Sequence, residues 1–524
     1  MASPLGVEVI ERLRPVAQEL CVSWARTLPD LVHADLRLEV TDGKFAAAER
    51  GDARASGADV AASVGARVLA GGLAVAPGYA GRTLGAADLP DLPAILRDML
   101  VTAHRRAAAN ARGKAQARAA FGPLGRSLAD TRLAPIAVHQ DVVPAVYEVD
   151  PRGMALDAMV AFARDVSRQV AGVDRRVEHD YVVVSTALQR ELVASSEGVL
   201  VDQCVALTQG LVSVVVTGTD TSQELYDVVA HQRGWEILHD GIAEPRARAP
   251  RFADFALALA REGVELAEAP PLPTLDRPVT VVTDPHFNAL VAHEVVGHPV
   301  ELDRGLKMET AYAGRSWLLR GLGDHEVGRR VASPLVTAYS DPALPGYGQY
   351  RYDHEGTPAR RVVHIDRGVF AGFMNSRQTA AVFGGEPNGH YKATDAALVP
   401  LVRMSTTVFA GGDRDPGAIL AEVDDGYYLA GHRIPSIAES RENFRISARR
   451  VYEIRKGRLG RLYRDGGIMA DTRDYLLAVD AVGSDFRLYP IPNCGKGQPM
   501  QTKRLGNGGP TMRSRAIVTG GAAA

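Results

Sequence analysis

YVVVSTALQRELVASSEGVLVDQCVALTQGLVSVVVTGTD, residues 181–220, decides the fold class of this chain. Its runs alternate apolar with polar or stay apolar throughout, and Ser, Glu and Gly separate them. A period of two with such breaks specifies successive antiparallel strands over 181–217. Upstream, helix and strand signals interleave. Residues 7–28 place Val9, Leu13, Val16 and Leu20 on one helical face, interrupted or kinked at Pro15. Leu36, Leu38 and Val40 alternate with charged residues, and Asp42-Gly43 then reads as the turn of a hairpin. A second β-rich piece runs through Val68 and Leu69 into GGLAVAPGYAG. Residues 92–120, rich in Ala, Leu and Arg, read as a helix. So do Ala155 to about Gly172 and Phe252 to Glu262.

Downstream, EAPPLPTLDRP (268–278) holds four prolines in eleven positions and marks a domain boundary. Beyond it come one helix and then a β-dominated region punctuated by DPALPGYGQ, DHEGTP, DRGV and GGDRDPG. A late helix is expected at Arg473 to Val482, ended by Gly483. The fold class expected is α+β. An N-terminal α/β-layer domain occupies 1–267, a Pro-rich linker 268–279, and a β-rich, antiparallel, barrel-like domain 280–524. The short Gly/Ala tail reads as frayed.

Composition narrows the function classes. At 524 residues the chain exceeds what one hydrophobic core serves. Its 46% apolar and 23% charged residues exclude a disordered or fibrous chain. Sixty basic against 62 acidic side chains give a formal charge of −2, which predicts no polyanion-binding surface and no nucleic-acid partner. Three scattered cysteines (Cys21, Cys204, Cys494) build no disulfide framework and point to a reducing compartment. The N-terminus lacks a signal-peptide apolar core, and no run of about 18 apolar residues predicts a membrane span. A soluble, cytoplasmic protein is expected.

The chemistry sits in DPHFNALVAHEVVGHPVELD, residues 284–303. Asp284 suits an N-cap and Pro285 the first helical position, where a missing N–H costs nothing. Phe287, Leu290, Val291 and Val295 form the apolar stripe, and His293, Glu294 and His298 make HExxxH. On a regular helix, histidines four apart diverge by about 40°, five apart by about 140°. A regular helix therefore cannot aim both imidazoles at one metal. Gly297 tolerates unusual backbone angles, and Pro299 pushes its predecessor out of the α region. The helix is expected to break or widen here and swing His298 beside His293. In that reading two imidazoles ligate zinc and Glu294 is the general base. Taken alone the pattern is weak, and ordinary polar residues near a helix end are an equal reading. A third ligand is open between Glu301, Asp303 and Cys494. Cys21 and Cys204 read as small buried hydrophobes; Cys494, in a turn-rich stretch, does not.

HEVVGHPVELD, YSDPALPGYGQYRYDHEGTPARRVVHIDRGVFAGFMNSRQTA, LVPLVRMSTTVFAGG and AVGSDFRLYPIPNCGKGQP together resemble the TldD/PmbA family of peptidases. DLRLEVTDGKF and GARVLAGG extend the likeness more loosely into the N-terminal half. The chain resembles the metal-bearing TldD type. That resemblance implies one zinc per chain held by His293, His298 and Cys494, with Glu294 as catalytic base. It also implies a two-domain α+β chain paired with a PmbA/TldE-like partner, or with itself. The substrates implied are unfolded or extended peptides, as in leader-peptide trimming or small-protein degradation. Pro299 stands where family members often carry Gly.

Other polar residues have plainer roles beside a catalytic one. Asp353, His354 and Glu355 read as turn formers before Gly356. His390 and Tyr391 are candidate oxyanion or substrate contacts. Arg403 reads as an anchor for a buried carboxylate or backbone, and the Arg pairs at 105–106, 360–361 and 449–450 as solvated faces. Two rivals remain: a non-catalytic partner or scaffold with a closed structural metal site, and a hydrolase of small amides.

Overall fold

Alternation along residues 31–49 produces the first long strand. Leu36, Leu38 and Val40 turn into a hydrophobic core, while Asp35, Arg37 and Glu39 face the other way. In the computed structural model, which describes residues 6–122, 128–245, 248–311 and 314–521, this strand is β1 (Leu31–Glu49). It belongs to a seven-stranded sheet with β2 (Asp52–Ala70), β3 (Ala76–Leu84), β4 (Gln140–Val143), β5 (Val177–Ser195), β6 (Leu200–Thr217) and β7 (Ser222–His231). The order is β3-β2-β1-β5-β6-β4, with β7 also on β6. Only the β4–β6 pair is parallel.

Asp42-Gly43 is no turn. β1 runs straight through it, and Asp42 pairs with both Val60 and Leu188. The hairpin closes at Arg50-Gly51, where φ is 51° and 80°, as a two-residue turn of the primed kind requires. Ala46 and Ala48 continue the buried alternation past the dipeptide, so packing of the strand's second half outweighs local turn propensity.

Helices cover one face of the sheet. α1 (Val9–Glu19) and α2 (Leu92–Ala120) pack at one end, and the helices Leu156–Ala171 and Phe252–Ala267 at the other. Pro15 lies inside α1 without ending it, and the chain continues as a π turn over Leu20–Trp24. The opposite, charged face is buried too, because the C-terminal half covers it. Arg67 Nη1 lies 2.7 Å from Glu355 Oε1, and Arg37 Nη1 lies 3.1 Å from His354 Nδ1.

The C-terminal half holds two large sheets, one of which closes on itself, because Asp425–Ile437 pairs with both Pro278–Thr283 and Asn443–Arg455. One, six-stranded, runs from Val369–Phe370 through Thr406–Phe409 and Gln501–Gly509 to an edge strand, Arg487–Lys496. The other contains β8 (Pro278–Thr283), Asp425–Ile437, Asn443–Arg455 and Met512–Thr519. Each includes a parallel pair. The Pro-rich segment packs closely on this half: Leu272 is fully buried and its N–H donates to Arg464 O at 2.9 Å. The late helix is shorter than expected, Thr472–Leu477, since the sheet takes Ala481 and Val482 to pair with Arg513 and Met512. Most of the Gly/Ala tail lies outside the described residues.

Candidate metal centre

β8 delivers the chain to Asp284, whose carboxylate accepts from Phe287 N at 2.7 Å and caps the helix Pro285–Val291. The next turn, Ala292–Gly297, is a π-helix, and His298 N donates to His293 O across five residues at 3.2 Å. This extra residue per turn offsets the divergence of HExxxH. The imidazoles meet edge to face, with centroids 4.8 Å apart. The mechanism differs from the one expected at Gly297 and Pro299. His298 stays helical (φ −68°, ψ −43°) despite the following proline. Gly297 serves close packing, since a Cβ there would lie 2.0 Å from Met404 Sδ.

The third donor is Cys494, brought in by the edge strand Arg487–Lys496. Its Sγ lies 3.6 Å from His298 Nε2, and the donor atoms of His293, His298 and Cys494 all fall within 4.8 Å of one another. Each imidazole is aimed from behind. His293 Nδ1 lies 3.0 Å from Asn507 Oδ1, whose amide is oriented by donation from Nδ2 to Thr407 O at 3.0 Å. His298 Nδ1 lies 3.2 Å from Glu301 Oε2. Acceptors on both Nδ1 atoms fix the tautomers that leave Nε2 free as a ligand. Two imidazoles and a thiolate in this arrangement suit zinc.

Glu301 and Asp303 do not ligate. Glu301 Oε2 also accepts from Arg304 Nε at 2.6 Å and Lys496 Nζ at 3.2 Å, and Asp303 Oδ1 accepts from Lys496 Nζ at 2.7 Å. All four side chains are buried, and Lys496 ties the Cys494 strand to the carboxylate behind His298. Among the described residues the donor group has three members.

Electrostatics favour the ligand forms. Burial alone would raise the Cys494 thiol, but His293, His298 and Arg403 outweigh it and hold it well below its usual range. Burial would lower His293, yet Cys494, Glu294 and Asn507 push it up to about 9. Without metal the pair is a thiolate and an imidazolium. Burial likewise opposes ionisation of Glu294, and His298, His293 and Arg441 overcome it, so its pKa falls below the usual carboxylate range. Arg441, an ion-pair partner of Glu294, comes from a turn at positive φ (68°). Sequence reading missed both Arg441 and Asn507.

His293, Glu294, His298, Arg441 and Cys494 line a cleft of about 510 Å³, one wall of which is β7 residues 224–228 of the N-terminal sheet. His286 and His432 also line it, with ring centroids 4.4 Å apart. Arg449 is no solvated side chain: it pairs with Asp227 and Glu262 at this wall. His390 and Tyr391 lie outside the cleft. His390 Nδ1 faces Asn388 O at 3.0 Å, and the Tyr391 ring sits under Arg67. Arg403 anchors backbone, donating to the carbonyls of Cys494 and Gln501. Asp353 is a turn former, accepting from Glu355 N and Thr357 N, whereas His354 and Glu355 join the interface with the N-terminal sheet.

Residues 276–521 match the family model of the PmbA/TldA metallopeptidase C-terminal domain. A metalloprotease of Methanothermobacter thermautotrophicus is 30% identical over 327 residues, which cover 62% of this chain and 66% of that one. A zinc metalloprotease TldD homolog of Saccharolobus solfataricus is 26% identical over 243 residues, covering 46% and 51%. Both alignments thus span no more than two thirds of the relative. TldE from Thermococcus kodakarensis shares the fold over 98% of this chain and 100% of its own, with a TM-score of 0.68 at 15% identity. Among the described residues no helix is long and apolar enough to cross a membrane.

Proposed function

Because the chain belongs to the PmbA/TldD metallopeptidase family, we propose that it is a zinc-dependent peptidase of unfolded or flexible peptides. His293, His298 and Cys494 hold one zinc per chain, and Glu294 is the general base. The observation that carries this is the convergence of three donors, each positioned from behind, with a buried carboxylate beside them. When bound, the metal supplies Lewis acidity that polarises a peptide carbonyl and acidifies water. Glu294 takes the proton from the attacking water and passes it to the leaving nitrogen. Its depressed pKa keeps it ionised at neutral pH, and Arg441 fixes its position. An extended peptide can add to the edge strand Arg487–Lys496, which places its backbone beside Cys494 with little demand on side chains.

A set of three protein donors supports catalysis over a closed structural site, which takes four protein ligands. The working units are 1–267 and 280–524 joined by 268–279, and the family match begins within that join. We place the chain in the cytoplasm, in a dimer with itself or with a PmbA/TldE-like partner. Leader-peptide trimming and small-protein degradation fit such a site.

The test is zinc content and peptidase activity of wild type, Cys494→Ser and Glu294→Gln. Stoichiometric zinc is expected in wild type and Glu294→Gln, and clear loss in Cys494→Ser. Only wild type is expected to cleave an unstructured peptide. Full zinc in Cys494→Ser, or turnover by Glu294→Gln, would overturn the assignment. Cleavage confined to dipeptides would favour a small-amide hydrolase.

A further inference from the structure

Where the charged face of the N-terminal sheet meets the C-terminal half there is a small polar cavity of about 40 Å³. β5 and β6 line it with Gln189, Glu191 and Gln203, and the C-terminal half lines it with Lys392, Lys503 and Arg504. It shares no lining residue with the metal cleft. Such a volume holds about three waters or one small oxyanion.

Two ammonium groups of this lining stand without a counter-charge. Lys392 is 6% exposed, and among the described residues its Nζ has neither a hydrogen bond nor an ion pair. It lies 3.5 Å from the centroid of the Tyr350 ring, whose face attracts a cation without neutralising it. The Nζ keeps access to the cavity. Lys503, half-buried, has no such partner either. Burial and the Lys503 charge together hold the Lys392 pKa well below its usual value. Among the described residues Glu191 is the one carboxylate of the lining, and it is already engaged: Oε1 accepts from Gln189 Nε2 at 3.0 Å, and Oε2 lies 3.4 Å from His354 Nε2. Gln203 adds a neutral donor, since its Oε1 accepts from Arg351 N at 2.7 Å while its Nε2 donates to no described group. A buried ammonium left unpaired is costly, and one beside a second ammonium points to an anionic ligand.

We propose that this cavity binds a phosphate group, held by Lys392 and Lys503 with Gln203 as a neutral donor and the exposed Arg504 at its mouth. Three cations face one carboxylate here, so with Lys392 protonated a dianion balances the lining where a monoanion does not. Lysine meets phosphate as a point charge, with no demand for the fixed fork that a carboxylate finds in arginine. The group is found on free inorganic phosphate or at the end of a phosphomonoester. Lys503 and Arg504 belong to the strand Gln501–Gly509, which pairs with the edge strand that carries Cys494. An anion held there joins β5 and β6 of the N-terminal sheet to the half that carries the metal donors, and so braces the two halves. The proposal is independent of the peptidase reading.

The test is titration calorimetry of the full chain with inorganic phosphate, at constant ionic strength and at a mildly alkaline pH where phosphate is mainly the dianion. One saturable site is expected. Lys392→Gln and Lys503→Gln are each expected to bind about tenfold or more weakly, from loss of a charge-assisted hydrogen bond. Lys503 is half-buried and holds no partner, so Lys503→Gln is expected to melt like wild type in the absence of phosphate. Phosphate should raise the melting temperature of wild type and leave that of Lys392→Gln unmoved. Cys494→Ser is expected to bind phosphate as wild type does, which separates this cavity from the metal cleft. Acetate, a monoanion, should bind about tenfold or more weakly than phosphate. Phenyl phosphate that binds as tightly as phosphate identifies a phosphomonoester as the source, and its exclusion identifies the free ion. No saturable phosphate binding up to about 10 mM, beyond even weak millimolar affinity, would overturn the proposal. Undiminished binding in Lys392→Gln, or acetate bound as tightly as phosphate, would do so as well.

Discussion

Asn507→Leu tests whether the histidines are aimed from behind. Asn507 is fully buried and makes two contacts: Oδ1 with His293 Nδ1 at 3.0 Å, and Nδ2 with Thr407 O at 3.0 Å. Leucine keeps the branched shape, with bulkier methyl groups, but offers neither acceptor nor donor. Loss of an acceptor behind a metal-binding imidazole costs about 10- to 100-fold in metal affinity, or about 1.4–2.7 kcal/mol. The metal-free fold also leaves His293 Nδ1 without its Asn507 contact and the Thr407 carbonyl without the Nδ2 donor, at an upper limit of about 1–3 kcal/mol each. The assay is competition for zinc against a chromophoric chelator at constant pH, beside thermal unfolding of the metal-free variants. Asn507→Asp is the control that separates aim from stability. Its carboxylate still accepts from His293 Nδ1 but repels the Thr407 carbonyl, so it is expected to melt lower while keeping zinc within a few-fold of wild type. Zinc affinity unchanged within about twofold in folded Asn507→Leu would refute the argument. Equal losses in the Leu and Asp variants would refute it too.

Three further outcomes are expected. Arg441→Gln should lower kcat on a peptide by about tenfold or more while zinc content holds, since it removes the cation that positions Glu294; unchanged kcat counts against that role. Because Cys494 is held as thiolate while His293 is raised to about 9, zinc should displace about one proton below that pH, and its apparent affinity should fall about tenfold per unit from pH 8.5 to 7; calorimetry in two buffers counts the proton, and none released contradicts the pairing. Glu39 is buried beside Glu191, its Oε2 has no hydrogen-bond partner, and its pKa is raised to about 8, so the folded chain binds a proton the unfolded one releases. Its contribution to stability is therefore full below about pH 4.5 and lost as pH rises to 8; Glu39→Gln should melt higher than wild type at pH 8 and show a flatter pH profile from 5 to 8.

What the sequence discloses here is short-range. Asp284-Pro285 announces a capped helix, and the cap forms as read. HExxxH demands a distortion, and the helix widens at that turn, although by a π turn rather than by the freedom of Gly297 or the pressure of Pro299. The groups that make the site more than three donors come from far along the chain: Asn507 is 214 residues from His293, and Arg441 is 147 from Glu294. Neither bears a local signal, because an asparagine between glycines and an arginine in a polar loop are ordinary until tertiary packing places them. His390 and Tyr391 show the reverse: chemical type alone suggests them, and neither is among the residues that line the cleft.

The charged face of β1 shows where periodicity stops. Alternation of Leu36, Leu38 and Val40 with Asp35, Arg37 and Glu39 establishes two faces, and the simplest covering for a charged face is water. Here the covering is protein, and Asp35, Arg37 and Glu39 are at most 8% exposed. Charges taken out of water persist when each finds a counter-charge or hydrogen bonds, which is why Arg67 reaches both Asp35 and Glu355. Glu39 breaks that rule, and its raised pKa is the consequence. A period of two therefore reports which side chains share a face; what lies against that face is written in residues some 300 positions away, such as His354, 317 from Arg37, and Glu355, 288 from Arg67. The same contacts hold the N-terminal sheet against the half that carries His293, His298 and Cys494, and β7 of that sheet supplies one wall of the cleft. The charged face is thus part of how the site acquires a second side.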